Sequence, residues 1–150
     1  MSTSQRIALL IARIALGGLF FYAGLTKLLD PAWSAAGYIA SAQHFTALYA
    51  WLGSPAILPL VNVLNAWGLT LLGISLILGA FVRISASLGI VIMLLYYLVL
   101  DFPYPNEHAF IIDEHIVYAA VLVILIAFKV GRVWGLDSKL HAFPLLRRLA

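Results

Sequence analysis

Cysteine is absent from this 150-residue chain, which excludes disulfides, dithiol redox relays and thiolate metal sites in any compartment. Charge is scarce as well. Only 10% of residues are charged and 64% are hydrophobic, with a mean hydropathy of +1.05, whereas soluble domains carry roughly 25% charged and about 45–50% apolar residues. A soluble fold of this size cannot hide so much apolar surface. There is no series of ten-residue alternating strands, so a transmembrane barrel is excluded. Low-complexity tracts, internal repeats and an HExxH-type metal spacing are also missing. The absences leave an all-α integral membrane protein whose length suits one domain over residues 1–150.

Four apolar stretches are present, at residues 7–28, 56–80, 84–100 and 111–130. A helix rising 1.5 Å per residue needs roughly 20 residues, with a range of about 17–25, to cross the hydrocarbon core. The expectation is a four-transmembrane-helix bundle. Four spans bring both termini and the turn between the second and third spans to one side. That side collects Arg6, Arg83, Lys129, Arg132, Lys139, Arg147 and Arg148, and the other holds only Lys27. The bias predicts a multi-pass protein of the cell (inner) membrane with both termini cytoplasmic. The N-terminal run is too long for a signal peptide and lacks a small-residue cleavage site, so it reads as a retained first helix. The net charge of +3 reflects topology and anionic lipid contact, and no nucleic-acid partner is expected.

Two outer connections follow. In residues 30–55, Asp30-Pro31 stops the first helix. A short helix from Ser34 to about Trp51 is predicted, rich in Trp33, Tyr38, Phe45, Tyr49 and Trp51, the residues that favour the headgroup zone. It reads as an interfacial lid or, equally, as a surface connector with no gating role. The second connection carries Pro103, Pro105, Glu107 and His108. Residues 136–149 mix leucines with Lys139, Arg147 and Arg148, predicting an amphipathic helix on the inner leaflet.

In the first span Arg13, Gly17, Phe20, Gly24 and Lys27 recur at intervals of three and four and share one face. Glycines there allow close helix approach, which turns the face into the bundle. The two cations then bind an anion or a quinone carbonyl; the structural alternatives are snorkelling for Arg13 and an interfacial anchor for Lys27. The second span holds Asn62, Asn65 and Trp67 in its outer half, and buried asparagines commonly bond a neighbouring helix. The third ends in Tyr96, Tyr97 and Asp101, an aromatic belt from which one tyrosine can face the bundle. At the mouth of the fourth stands Asp113-Glu114-His115, and ionisable groups at such a place invite a functional reading. An imidazole beside carboxylates exchanges protons near neutral pH, as quinone chemistry requires. Adjacent helical positions point about 100° apart, so all three cannot line one pocket. Asp113 also reads as a helix cap. A metal site built from His108, Asp113, Glu114 and His115 is the weaker alternative.

The run from Arg13 through Gly17, Gly18 and Phe20 to Gly24 and Lys27 resembles the first-helix pattern of DoxX/DoxD membrane proteins. The run from Asn65 to Gly79, followed by Arg83, resembles the second. Gly131-Arg-Val-Trp-Gly-Leu-Asp137 is similar to the family's closing motif. The motifs are short and glycine-led, but together they cover nearly the whole chain. DoxD proteins are the membrane subunit of thiosulfate:quinone oxidoreductase. The resemblance therefore implies an enzyme that couples two thiosulfates to tetrathionate and passes electrons to quinone at an outward-facing site. Quinone would be the electron-accepting co-substrate, with no bound metal or flavin, so electrons pass directly between substrates. By the resemblance, thiosulfate suits Lys27 and Arg13, and His115 handles quinone protons. With the polar residues read above, the expected site has His115, Glu114 and Asp113 as catalytic residues and Arg13, Lys27, Asn65, Trp67, Tyr97 and Asp101 binding substrate or quinone. The partners implied are the lipid bilayer, a small sulfur oxyanion, and either a homo-oligomeric copy or a DoxA-type subunit. Two other classes remain open: a non-catalytic membrane partner or adaptor subunit, and a small-solute transporter, which the lack of paired broken helices disfavours.

Overall fold

The computed structural model describes residues 1–101 and 110–140. Its order is α1 (Thr3–Leu29), α2 (Ala36–Ala40), α3 (Thr46–Leu52), α4 (Leu58–Leu78), α5 (Val82–Tyr97), α6 (Glu114–Ala127), a 3₁₀ turn at Val130–Arg132, and α7 (Asp137–Leu140). No strand occurs among the described residues.

Local chemistry sets the helix ends. Ser2 and Gln5 form a reciprocal capping box at the start of α1, with Gln5 N donating to Ser2 Oγ at 3.2 Å and Ser2 N to Gln5 Oε1 at 2.8 Å. Pro31 ends the helix, and Asp30 Oδ1 accepts from Ala32 N at 2.9 Å to turn the chain. Helix α4 closes on Gly79 at φ +66°, where Ala80 N bonds Ser75 O and Gly79 N bonds Leu76 O. This left-handed ending recovers two orphan carbonyls and suits a residue without Cβ.

Helices α1 and α4 run antiparallel in close contact. Gly17 lies against Leu76 and Ile77, Phe21 against Gly73, and Gly24 against Thr70. A Cβ on Gly73 or Gly24 would collide with the backbone of the opposite helix, so these two glycines set the interhelical distance. Helix α5 packs on α6, α4 on α5, and α1 touches α6. Their shared core includes Leu16, Phe20, Leu69, Leu76, Ala86, Met93, Leu122 and Leu125. The α1 face of Arg13, Leu16, Gly17, Phe20 and Gly24 is buried, as its spacing predicts.

Helices α1 and α4, of 27 and 21 residues, are long and apolar enough to cross a membrane. The third and fourth predicted spans are shorter than expected: α5 has 16 residues and α6 has 14. The reason for α6 is local. Asp113 caps its first turn, accepting from Ile116 N, and Lys129 at φ 49° ends the regular helix before the 3₁₀ turn. The predicted continuous lid helix is likewise two pieces, broken where Phe45 takes φ 51°. Of the predicted C-terminal helix, Asp137–Leu140 is helical; residues 141–150, with Arg147 and Arg148, lie outside the described residues, as do Glu107 and His108.

Candidate functional site

At the end of the molecule where α1 finishes and α6 begins, every long helix contributes a polar side chain to one cluster. Lys27, in the last turn of α1, donates from Nζ to Asn65 Oδ1 of α4 at 3.0 Å and to Tyr96 Oη of α5 at 3.1 Å. The Asn65 amide N also donates to Tyr96 Oη. His115, in the first turn of α6, sets its ring edge against Tyr96, with centroids 5.4 Å apart. His115 Nδ1 pairs with Asp113 Oδ2 at 2.5 Å, both side chains being largely buried. A carboxylate on one ring nitrogen fixes the imidazole's orientation and leaves Nε2 for proton exchange.

The electrostatics of Lys27 are distinctive. Its partners are an amide, a phenol and the rings of Trp33 and Tyr96, whose centroids lie 5.1 and 5.5 Å from Nζ. Among the described residues no carboxylate pairs with it. Neutral acceptors and aromatic faces stand in for water around the ammonium, but they leave its charge uncancelled and one of its three N–H groups without a hydrogen-bond acceptor. The Tyr96 oxygen already takes two donors, so its own proton points in a third direction. Lys27 can therefore give an oxyanion or carbonyl oxygen a charge-assisted hydrogen bond, and Tyr96 O–H a neutral one.

The connection between α1 and α4 closes over the cluster and hydrogen-bonds carbonyls at the C-terminal end of α5. Tyr38 Oη donates to Tyr96 O at 2.8 Å, Tyr49 Oη to Leu95 O at 2.6 Å, and Gln43 N to Val99 O at 3.2 Å. These are carbonyls of the last turn of α5 and just beyond. Asn62 holds the other side, accepting from Ala35 N at 2.9 Å and donating to Ser34 Oγ at 3.2 Å. Burial, then the Tyr96 phenol and the Asp113 carboxylate nearby, push the Tyr38 pKa up, so its hydroxyl stays a donor. Burial also raises that of Tyr49.

Beneath this cover a cleft of about 410 Å³ runs between α4 and α5. Its walls are apolar, including Leu64, Gly68, Leu72, Leu88, Ile92 and Leu95, and Asn65 and Tyr96 stand at its polar end. Leu64, Leu88 and Val91 on its rim are more than half exposed on the outside of the helices, so the cleft opens sideways, toward lipid for helices of this composition.

Of the residues expected from the sequence, Lys27, Asn65, Asp113 and His115 meet. Arg13 does not. It is buried near the other end of α1, about 21 Å from Lys27 at about 1.5 Å per residue, and its guanidinium donates to Val130 O at 3.0 Å, Val133 O at 3.1 Å and Trp134 O at 3.5 Å. It neither snorkels nor joins Lys27; it ties α1 to the closing Gly131–Asp137 segment. Trp67 is 51% exposed on the outer face of α4. Tyr97 turns its hydroxyl to Ile111 O at 2.7 Å, and Asp101 lies 3.5 Å from His44 of the cover. Glu114 is exposed and stands beside Tyr118, as the 100° step between neighbours requires. Of the weaker metal set, His108 lies outside the described residues; among the described residues no three ligand-type side chains cluster.

Tyr96, Tyr38 and Trp33 are the members absent from the expected set. A signal for Tyr96 exists. The buried positions Val82, Ala86, Gly89 and Met93 of α5 step by four, three and four, and the next step of three reaches Tyr96, not Tyr97. Trp33 and Tyr38 carry no comparable signal, since their positions depend on how an irregular connection folds back.

Apolar helices joined by glycine contacts, with a polar aromatic cluster at one end, define a helical membrane protein. The DoxX family model matches residues 8–101, and the chain belongs to the DoxX family. Comparison with curated proteins and with solved structures gave no match.

Proposed function

We propose that this protein is a quinone-linked membrane oxidoreductase acting on a small sulfur oxyanion, thiosulfate, at the Lys27 end. The observation that carries this reading is the convergence of Lys27, Asn65, Tyr96 and the His115–Asp113 pair, of which Asn65 and Tyr96 line the polar end of an apolar cleft. The electron balance is two thiosulfates to one tetrathionate, releasing two electrons, and quinone taking two electrons and two protons to quinol. Lys27 attracts the oxyanion, as an unneutralised cation does in a medium of low dielectric. Tyr96 donates to a quinone carbonyl, and the cleft takes the isoprenoid tail. His115 Nε2 passes protons, with Asp113 holding the ring. In this reading α5 and α6 also span the bilayer, both termini are cytoplasmic, and the Lys27 end faces outward, in accord with the distribution of lysine and arginine.

The test is quinone-analogue reduction by purified protein with thiosulfate, sulfite or sulfide as donor, beside Lys27→Ala and His115→Ala. Thiosulfate-dependent turnover that both variants lose supports the reading. No turnover from folded protein that still binds quinone sinks it as a self-sufficient enzyme. A second reading, a non-catalytic partner subunit, draws on the exposed Phe45 and Trp51 of the cover; a pull-down from native membranes without a stoichiometric partner counts against it.

A further inference from the structure

A second cavity, of about 310 Å³, lies at the Arg13 end, between the start of α5 and the turn that follows α6. Three basic residues line it: Arg83, Lys129 and Arg132. They come together for backbone reasons. Lys129 occupies the left-handed residue that ends α6, Arg132 closes the 3₁₀ turn, and Arg83 is in the first turn of α5. Asp137 is the one acid lining the cavity among the described residues, and its carboxylate is committed. Oδ1 accepts from Phe81 N at 2.6 Å and Oδ2 from Val82 N at 3.2 Å, so it caps α5. Among the described residues the lining thus carries more positive than negative charge, with Arg83 and Lys129 exposed and Arg132 half-buried beside an apolar wall that includes Val82 and Leu125. Like charges around one space repel, increasingly so as the surroundings become less polar. A bound anion relieves that repulsion, and a ligand with an anionic head and an apolar body matches both walls.

We infer that this cavity binds a phosphate-bearing anion, with the headgroup of an acidic membrane phospholipid as its source. Basic pockets between helices at a membrane surface take such headgroups, and the exposed Phe81 and Phe128 flank the place where acyl chains would lie. The inference is independent of the chemistry proposed for the Lys27 end.

The experiment uses the full chain in neutral detergent, exposed in turn to phosphatidylglycerol, to phosphatidylcholine and to inorganic phosphate. Retained lipid is read by native mass spectrometry and thermal stability by circular dichroism. The expected result is retention of phosphatidylglycerol about tenfold above phosphatidylcholine, falling toward parity in the Arg83→Gln/Lys129→Gln/Arg132→Gln variant and surviving in Lys129→Arg. Stabilisation by inorganic phosphate, lost in the same triple variant and with no lipid preference, supports the anion site and assigns its source to free phosphate. Equal retention of the two lipids without any phosphate effect overturns the inference, whatever the variants do. So does an unchanged preference in a triple variant that remains helical.

Discussion

Helix α1 carries one cation near each end, and the two are used in opposite ways. Arg13 is 2% exposed and donates only to peptide carbonyls, at Val130, Val133 and Trp134. Lys27 is partly buried and donates only to side chains, those of Asn65 and Tyr96. Backbone carbonyls have fixed positions, so a guanidinium that spans three of them works as a clasp, and Asp137 completes it by capping α5. Side-chain partners of a lysine leave hydrogen-bonding capacity for a ligand. Burial of a charge is therefore a poor guide to ligand-binding capacity in this molecule: the more deeply buried cation is committed to the backbone, and the less buried one keeps the capacity that the proposed function uses.

Breaking the clasp gives the largest effect. Arg13→Ala strands three carbonyls and opens a void, and a loss of about 3–5 kcal/mol is expected, enough to prevent recovery of folded protein from detergent. Arg13→Lys does not restore it, because an ammonium cannot reproduce the planar fork. Circular dichroism melts and the yield after size exclusion measure both. If Arg13→Ala stays folded while losing ligand binding, the contrast between the two ends is wrong.

At the Lys27 end the order of effects reverses, with activity falling before stability. On the proposed function, His115→Ala lowers quinone reduction by about 100-fold or more, the usual contribution of a positioned acid–base group, with a melting temperature close to the native chain's. Tyr96→Phe removes the phenol that the proposal has donating to quinone and that also accepts from Lys27 and Asn65; KM for the quinone analogue is expected to rise by about tenfold or more, the factor that about 1.4 kcal/mol of lost hydrogen bonding gives. A collapse of the melting temperature in either variant would show that this cluster too is a clasp.

Between the two ends, Gly73→Ala tests the α1–α4 seam. The added methyl meets the Phe21 backbone, so about 1–3 kcal/mol of stability is lost, and both ends suffer together. The smallest effect is expected for Asn62→Ala, which frees the Ser34–Ala35 side of the cover. It costs about 1 kcal/mol and shows as faster hydrogen exchange in residues 33–40, with α1 unaffected.

Much of the fold is legible in the sequence because helical burial has a local signature. The three-and-four spacing of Arg13, Gly17, Phe20 and Gly24 names the buried face of α1, and Pro31, Gly79 and Asp113 mark helix ends whose chemistry lies within a few residues. The site is only half legible. Lys27, Asn65, Asp113 and His115 stand out as polar groups in apolar runs, but the same test also picks Arg13, Trp67, Tyr97, Asp101 and Glu114, which the structure sends elsewhere.

Composition and period alone thus determined that the chain is an all-helical membrane protein and which face of α1 turns inward, since both depend on the residues of one segment and the solvent around them. Only the tertiary structure decided that Arg13 and Lys27 serve different ends, that Tyr96 rather than Tyr97 meets Lys27, and that Trp33 and Tyr38 join them. Those outcomes depend on the register between helices far apart in the chain. That register is set by backbone contacts such as Gly24 on Thr70 and Gly73 on Phe21, and no periodicity within a single helix encodes it.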